Sequence, residues 1–184
     1  MQTVIDKNLG TLVLIYDFLN GGYFFSYHQL QFYNEKAYRL YLKNNKKALV
    51  KLYKQLCAYV PSSVLSSIEN SPGIRYFCCD CCHDAKIQAV YIDGGYLTIL
   101  LDTDGMLGCL NVDKTCKIKL RTNSEKVIKK IIEDSKIFEK LFWLSSNIIF
   151  DDDVITFELE LQTFIDSTCR NIKYEFIIDD IVIE

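Results

Sequence analysis

Two rhythms of apolar residues run along this chain, one helical up to residue 73 and one alternating beyond it. Between residues 24 and 42, apolar or aromatic side chains fall at Phe25, Leu30, Phe32, Tyr33, Ala37, Tyr38, Leu40 and Tyr41. That spacing is approximately helical, and Asn34 and Asn44-Asn45 are the points where such a stretch breaks. A second helix follows, with Ala48, Leu49, Leu52, Tyr53, Leu56 and Tyr59 on one face and lysines on the other. Pro61-Ser62-Ser63 ends it, and a short third helix over 63–69 stops at Asn70-Ser71-Pro72-Gly73.

Past Gly73 the period becomes two. Residues 86–92 alternate, Asp93-Gly94-Gly95 supplies a hairpin turn, and 96–102 is the return strand. Asp102-Thr103-Asp104-Gly105 reads as the next turn, with further strands over 106–112 and 115–120. Val127, Ile128, Ile131, Ile132 and Phe138 keep helical spacing, which predicts a helix over 124–138 with Ser124 as its N-cap. Strands over 141–150 and 154–164 flank the acidic turn Asp151-Asp152-Asp153. In the second of these, Thr156, Glu158, Glu160 and Gln162 alternate with Ile155, Phe157, Leu159 and Leu161. Strands over 174–178 and 181–183 close the chain, the last one left open between internal pairing and an exposed edge.

The order of elements makes the chain α+β. The expected architecture is an N-terminal helical segment packed on a mainly antiparallel β-sheet with one inserted helix, divided as 1–73 and 74–184.

Composition narrows the function classes. The chain has 184 residues, 49% of them hydrophobic and 24% charged, enough for one proper core or two small units. The formal net charge of −3 disfavours broad nucleic-acid binding. The local exception is a basic helix face formed by Lys43, Lys46, Lys47, Lys51 and Lys54, opposed by an acidic C-terminal third. The apolar stretch 12–19 is broken by Asp17, is too short to span a bilayer and has no cleavage motif after it. The expectation is a cytoplasmic protein with reduced cysteines and no membrane partner.

The densest chemistry is Cys78-Cys79-Asp80-Cys81-Cys82-His83-Asp84. Thiolate and imidazole are zinc's preferred ligands, and Cys78 with Cys81 has C-x-x-C spacing, repeated by Cys79 with Cys82. A second such pair is missing, because Cys109 and Cys116 are separated by six residues. A zinc site would therefore draw on Cys78, Cys81, His83, Cys109 and Cys116, brought together by folding. The competing reading makes these cysteines core thiols at the seam between the helical and β halves. A redox C-x-x-C belongs at a helix N-terminus after a strand, whereas this run precedes a strand. A thiol nucleophile served by His28 or His83 lacks any surrounding signature. Asp102, Asp104 and Gly105 lack the later bidentate glutamate of a calcium loop, so they and the 151–153 run read as turns.

Several short segments carry a resemblance. His83-Asp84, Ile87, Tyr91-Ile92-Asp93-Gly94 and the strand over 96–102 are similar to the opening of a bacterial β domain that begins Leu-His-Asp or Phe-His-Asp. Trp143 ahead of a strand pair and the closing residues 177–184 fit it too. With the helical N-terminal segment, residues 30–184 resemble the family called domain of unknown function 4085. Cys82 stands where that pattern has an apolar residue, which makes a buried role for it the expectation. The resemblance implies a fold and a bacterial cytosolic setting, and no reaction.

These readings converge on a non-enzymatic, protein-binding module, by analogy immunity-like, with no catalytic or cofactor-binding residues assigned. Acidic charge, 12 tyrosines and the want of a complete catalytic constellation motivate it. The alternatives are a zinc-stabilised domain or a cysteine-dependent enzyme.

Overall fold

The computed structural model describes residues 2–22, 27–79, 82, 85–102, 115–138, 140–151, 154–165 and 168–184. The fold is α+β, and the chain divides into two compact units, Met1–Asn70 and Ser71–Glu184.

The first unit is helical. It contains α1 (Gln2–Leu19), a 3-10 turn (Tyr27–Gln29), α2 (Leu30–Tyr33), α3 (Glu35–Leu42), α4 (Lys46–Cys57) and α5 (Ser62–Asn70). The two expected break points are N-caps. Asn34 Oδ1 accepts from Ala37 N at 3.1 Å to start α3, and Asn45 Oδ1 accepts from Ala48 N at 3.1 Å to start α4. Each satisfies one of the donors that a helix start leaves without a partner. Asn44 adopts φ 48°, a left-handed conformation that asparagine tolerates, and so reverses the chain between them. Consecutive residues Leu12, Val13, Leu14 and Ile15 of α1 are all buried, so this helix is enclosed on every side along that stretch. Among the described residues no helix is long and apolar enough to cross a membrane.

The second unit opens with α6 (Pro72–Phe77), where the sequence predicts a stop. Ser71 caps it, its Oγ accepting from Ile74 N at 3.2 Å, and Pro72 occupies the first turn. Proline is suited to that position because its missing N–H would have no helical partner there. The same dipeptide that ends α5 therefore starts a new helix.

Seven antiparallel strands follow: β1 (Ala85–Asp93), β2 (Tyr96–Asp102), β3 (Thr115–Arg121), β4 (Leu141–Asp151), β5 (Val154–Ile165), β6 (Thr168–Ile178) and β7 (Asp180–Ile183). Helix α7 (Glu125–Ile137) is inserted between β3 and β4. Ser124 stands at its N-cap position but makes no side-chain capping bond; instead Thr122 Oγ1 accepts from Ser124 N at 3.1 Å. Gly94 and Gly95 both have positive φ, 56° and 84°, and join β1 to β2 in a two-residue hairpin with Asp93 opposite Tyr96. That backbone matches the strand twist and suits glycine. The strand expected over 106–112 lies outside the described residues.

Strand order is β6-β5-β4-β1-β2-β3-β7. One residue, Asp179, separates β6 from β7, yet the two strands stand at opposite ends of that order. The sheet therefore curls until its ends meet. Asp179 N donates to Arg121 O at 2.8 Å, and Thr122 Oγ1 donates to Ile177 O, fastening the junction. The terminal strand is paired internally, through 118–121 of β3. Its other side is approached by α6: Ser71 Oγ reaches Asp180 Oδ1 at 2.7 Å, and a Cβ on Gly73 would strike the Ile181 carbonyl oxygen. Covering an edge with a helix protects it from pairing with another chain.

The core lies on the inner face of this sheet. Phe77 of α6 stacks on Trp143 and meets Phe157 edge-on, and Phe157 in turn touches Phe176. Helix α7 buries Ile131, and its Asp134 Oδ2 accepts from Tyr174 of β6 at 2.6 Å.

Candidate functional site

The cysteine run comes first. Cys81, His83 and Cys109 lie outside the described residues, as do Asp80 and Asp84. Cys79 and Cys82 are buried, Cys116 is buried on the inner face of β3, and Cys78 is half-buried at the end of α6. Loss of water around the sulfur pushes the Cys78 thiol up to about 12, and Cys116 up to about 11. Both are neutral thiols at physiological pH, the opposite of the activated thiolate that nucleophilic chemistry needs. No group of three or more His, Cys, Asp or Glu among the described residues is placed to hold a metal ion.

Of the histidines, His28 lies in the helical unit, where its Nδ1 is 3.1 Å from the Tyr38 hydroxyl and its ring meets Tyr38 and Tyr41. Those partners are aromatic, and none of them is a thiol.

The outward face of β4, β5 and β6 brings together what the sequence separates. Register places Asn147, Glu158 and Glu175 in one row across the three strands, and Ser145, Glu160 and Lys173 in the next. Glu160 is well satisfied: it accepts from Ser145 Oγ and Asn171 Nδ2, both at 3.1 Å, with Lys173 Nζ at 3.9 Å. Glu158 accepts from Asn147 Nδ2 at 3.1 Å. Glu175, directly opposite Glu158, has no ion pair or hydrogen bond among the described residues. Like charges facing each other across a strand pair are destabilising. A shallow depression of about 270 Å³ lies over these rows, next to a bulge between Trp143 and Ser145.

Apolar side chains flank the carboxylates. On one side Phe164 is 49% exposed and meets Phe142 edge-on; on the other Ile177 is 53% and Val154 42% exposed. The alternation of β5 puts Glu158 and Glu160 on one side, which by pattern alone reads as solvated surface. Nothing in the sequence revealed that β6 would set Glu175 against Glu158.

The helical unit carries the opposite charge. Residues 1–70 hold eight lysines and arginines against four acids, whereas 71–184 hold 13 against 20. Lys47, Lys51 and Lys54 are exposed along one side of α4 and, with Asn45, Ala48 and Val50, line a shallow groove.

No family model, curated protein or solved structure matches the chain.

Proposed function

We propose that this protein is a non-enzymatic protein-binding module, and that it binds a basic partner through the outward face of β4, β5 and β6. The observation that carries this reading is the Glu158–Glu175 pair, with exposed Ile177 two residues along β6 and exposed Phe164 further along β5 on the same face. Exposed apolar groups around a polar centre are the makeup of a recognition surface. Uncompensated carboxylates at that centre steer and select a cationic partner. The buried, neutral thiols support the same reading, since they serve as core packing. An immunity-like role, in which an acidic protein masks a basic one, belongs to this class by analogy.

The test is native mass spectrometry after gentle purification from the protein's own cells. The reading expects a second chain that presents a basic contact surface, retained by the wild type and lost from a folded variant carrying Glu158→Lys and Glu175→Lys. A variant that keeps the same chain, or a wild type that carries none, would overturn it.

A further inference from the structure

The proposed binding face has a counterpart within the same chain. Lys47, Lys51 and Lys54 recur at four and three residues along α4, and no ion pair engages them among the described residues. Their neighbour Lys46 is otherwise occupied, over the Phe18 ring at 5.7 Å. Between the lysines Val50 is 39% exposed, so this face, like the sheet face, mixes charge with apolar surface.

The spacings agree. Side chains one helical turn apart are separated by about 6 Å. Directly opposed residues on neighbouring strands stand about 5 Å apart, and alternate residues on one strand about 7 Å. A lysine pair from α4 thus spans Glu158 and Glu175 across the strands, and the third lysine continues along the sheet. The Glu158–Glu175 repulsion is relieved by any ammonium inserted between them.

We infer that the α4 lysine face of one copy docks on the carboxylates of β5 and β6 in a second copy, so that the protein self-associates head to tail. This inference rests on the binding face proposed above and names its partner. A contact between two unlike faces is heterologous, so each copy retains one unused face and growth continues as a ring or an open chain. The contact is largely electrostatic and exposed at its rim, so salt weakens it.

The experiment is light scattering and sedimentation on full-length protein at low and high salt, with Trp143 fluorescence reporting that each variant is folded. Wild type at low salt is expected to exceed the 21.4 kDa of the single chain and to return to it at high salt. Lys47→Glu with Lys51→Glu removes one face; Glu175→Lys, at an exposed position, removes the other. Each variant alone is expected to be monomeric. Mixed in equal amounts, they are expected to form a two-chain complex and nothing larger, because one intact face of each kind remains.

A wild type that is monomeric throughout overturns the inference, as does a mixture that does not associate. If the wild type is monomeric yet a basic cellular protein is lost on Glu175→Lys, only the self-association fails and the binding face stands. If the lysines instead retain a duplex oligonucleotide while the wild type stays monomeric, their partner is a nucleic acid and the inference is wrong. If Glu175→Lys alters neither self-association nor partner capture, both readings fall.

Discussion

Cys169 and Cys116 show how far one residue type diverges with its surroundings. Cys169 lies exposed on β6, whereas Cys116 points into the core from β3. Alkylation requires the thiolate, and burial disfavours it. In a time course of iodoacetamide labelling near neutral pH, read by peptide mass spectrometry, Cys169 is expected to react well before Cys116 and Cys78. Equal rates for all three in the folded protein would refute the assignment of core thiols. Cys79, Cys82 and Cys116 are packed in the core: side-chain type is legible in a chain, but desolvation is a property of the finished core.

At the scale of elements, α6 and β7 meet at Ser71 and Gly73. Ser71 caps α6 and at the same time reaches Asp180, so its hydroxyl joins the helix start to the last strand. Ser71→Ala is expected to cost about 1 kcal/mol, the usual value of an N-cap, in urea unfolding of the chain. Gly73 is the stricter position, because a methyl there strikes the Ile181 backbone and no side chain can rotate away. Gly73→Ala is expected to cost about 1–3 kcal/mol in the same measurement, as over-packed sites do. An effect of Gly73→Ala smaller than that of Ser71→Ala would argue against the close approach. The breaks at Asn34 and Asn44-Asn45, the two-glycine hairpin and the clean alternation of β5 were all legible in the sequence, because each is set by neighbours within a few residues. The capping bonds of Asn34 and Asn45 were not read there, and Ser124, expected as a cap, makes no side-chain capping bond. Helix α6 and the first half of β6 were not legible either. Pro72-Gly73 is as good a stop as a start, and Thr168 to Lys173 is mostly exposed, so no apolar rhythm marks it as strand.

For the whole molecule, burial of neutral acids predicts how stability changes with pH. The Tyr174 hydroxyl is raised above the ordinary phenol range by burial first and by its bond to Asp134 second. Tyr53 of α4 is raised likewise, by burial and then by Cys57 and Glu69. Cys78 and Cys116 are raised from 9.0 in the same sense. A group whose folded pKa lies above its unfolded one favours the fold while it is neutral in both states. These contributions are therefore complete below pH 9.0 and are lost as pH rises through the folded values, about 11 and 12 for the two thiols. Denaturation midpoints followed by the emission of Trp143, the one tryptophan and fully buried, should fall above pH 9 and hold steady just below it. Tyr174→Phe should lower the neutral-pH stability by about 1 kcal/mol through loss of the Asp134 bond and make the alkaline fall shallower. A midpoint unaffected by alkaline pH would show that these groups are as solvated in the fold as in the open chain.

The sequence by itself determined the α+β class, the change of period near residue 73, the helix breaks at Asn34 and Asn44-Asn45, the glycine hairpin after Asp93 and the division of charge between the two halves. Each of these is written in local spacing, which the chain carries before it folds. Tertiary structure alone decided that the sheet curls until β6 runs into β7 beside β3, that α6 covers the β7 edge, and that Glu175 stands opposite Glu158. Those are pairings between distant segments, chosen by the register that buries Phe157, Trp143 and Phe176 on one face. The surface on the other face, and with it the binding site proposed for this protein, is what that choice of register leaves outside.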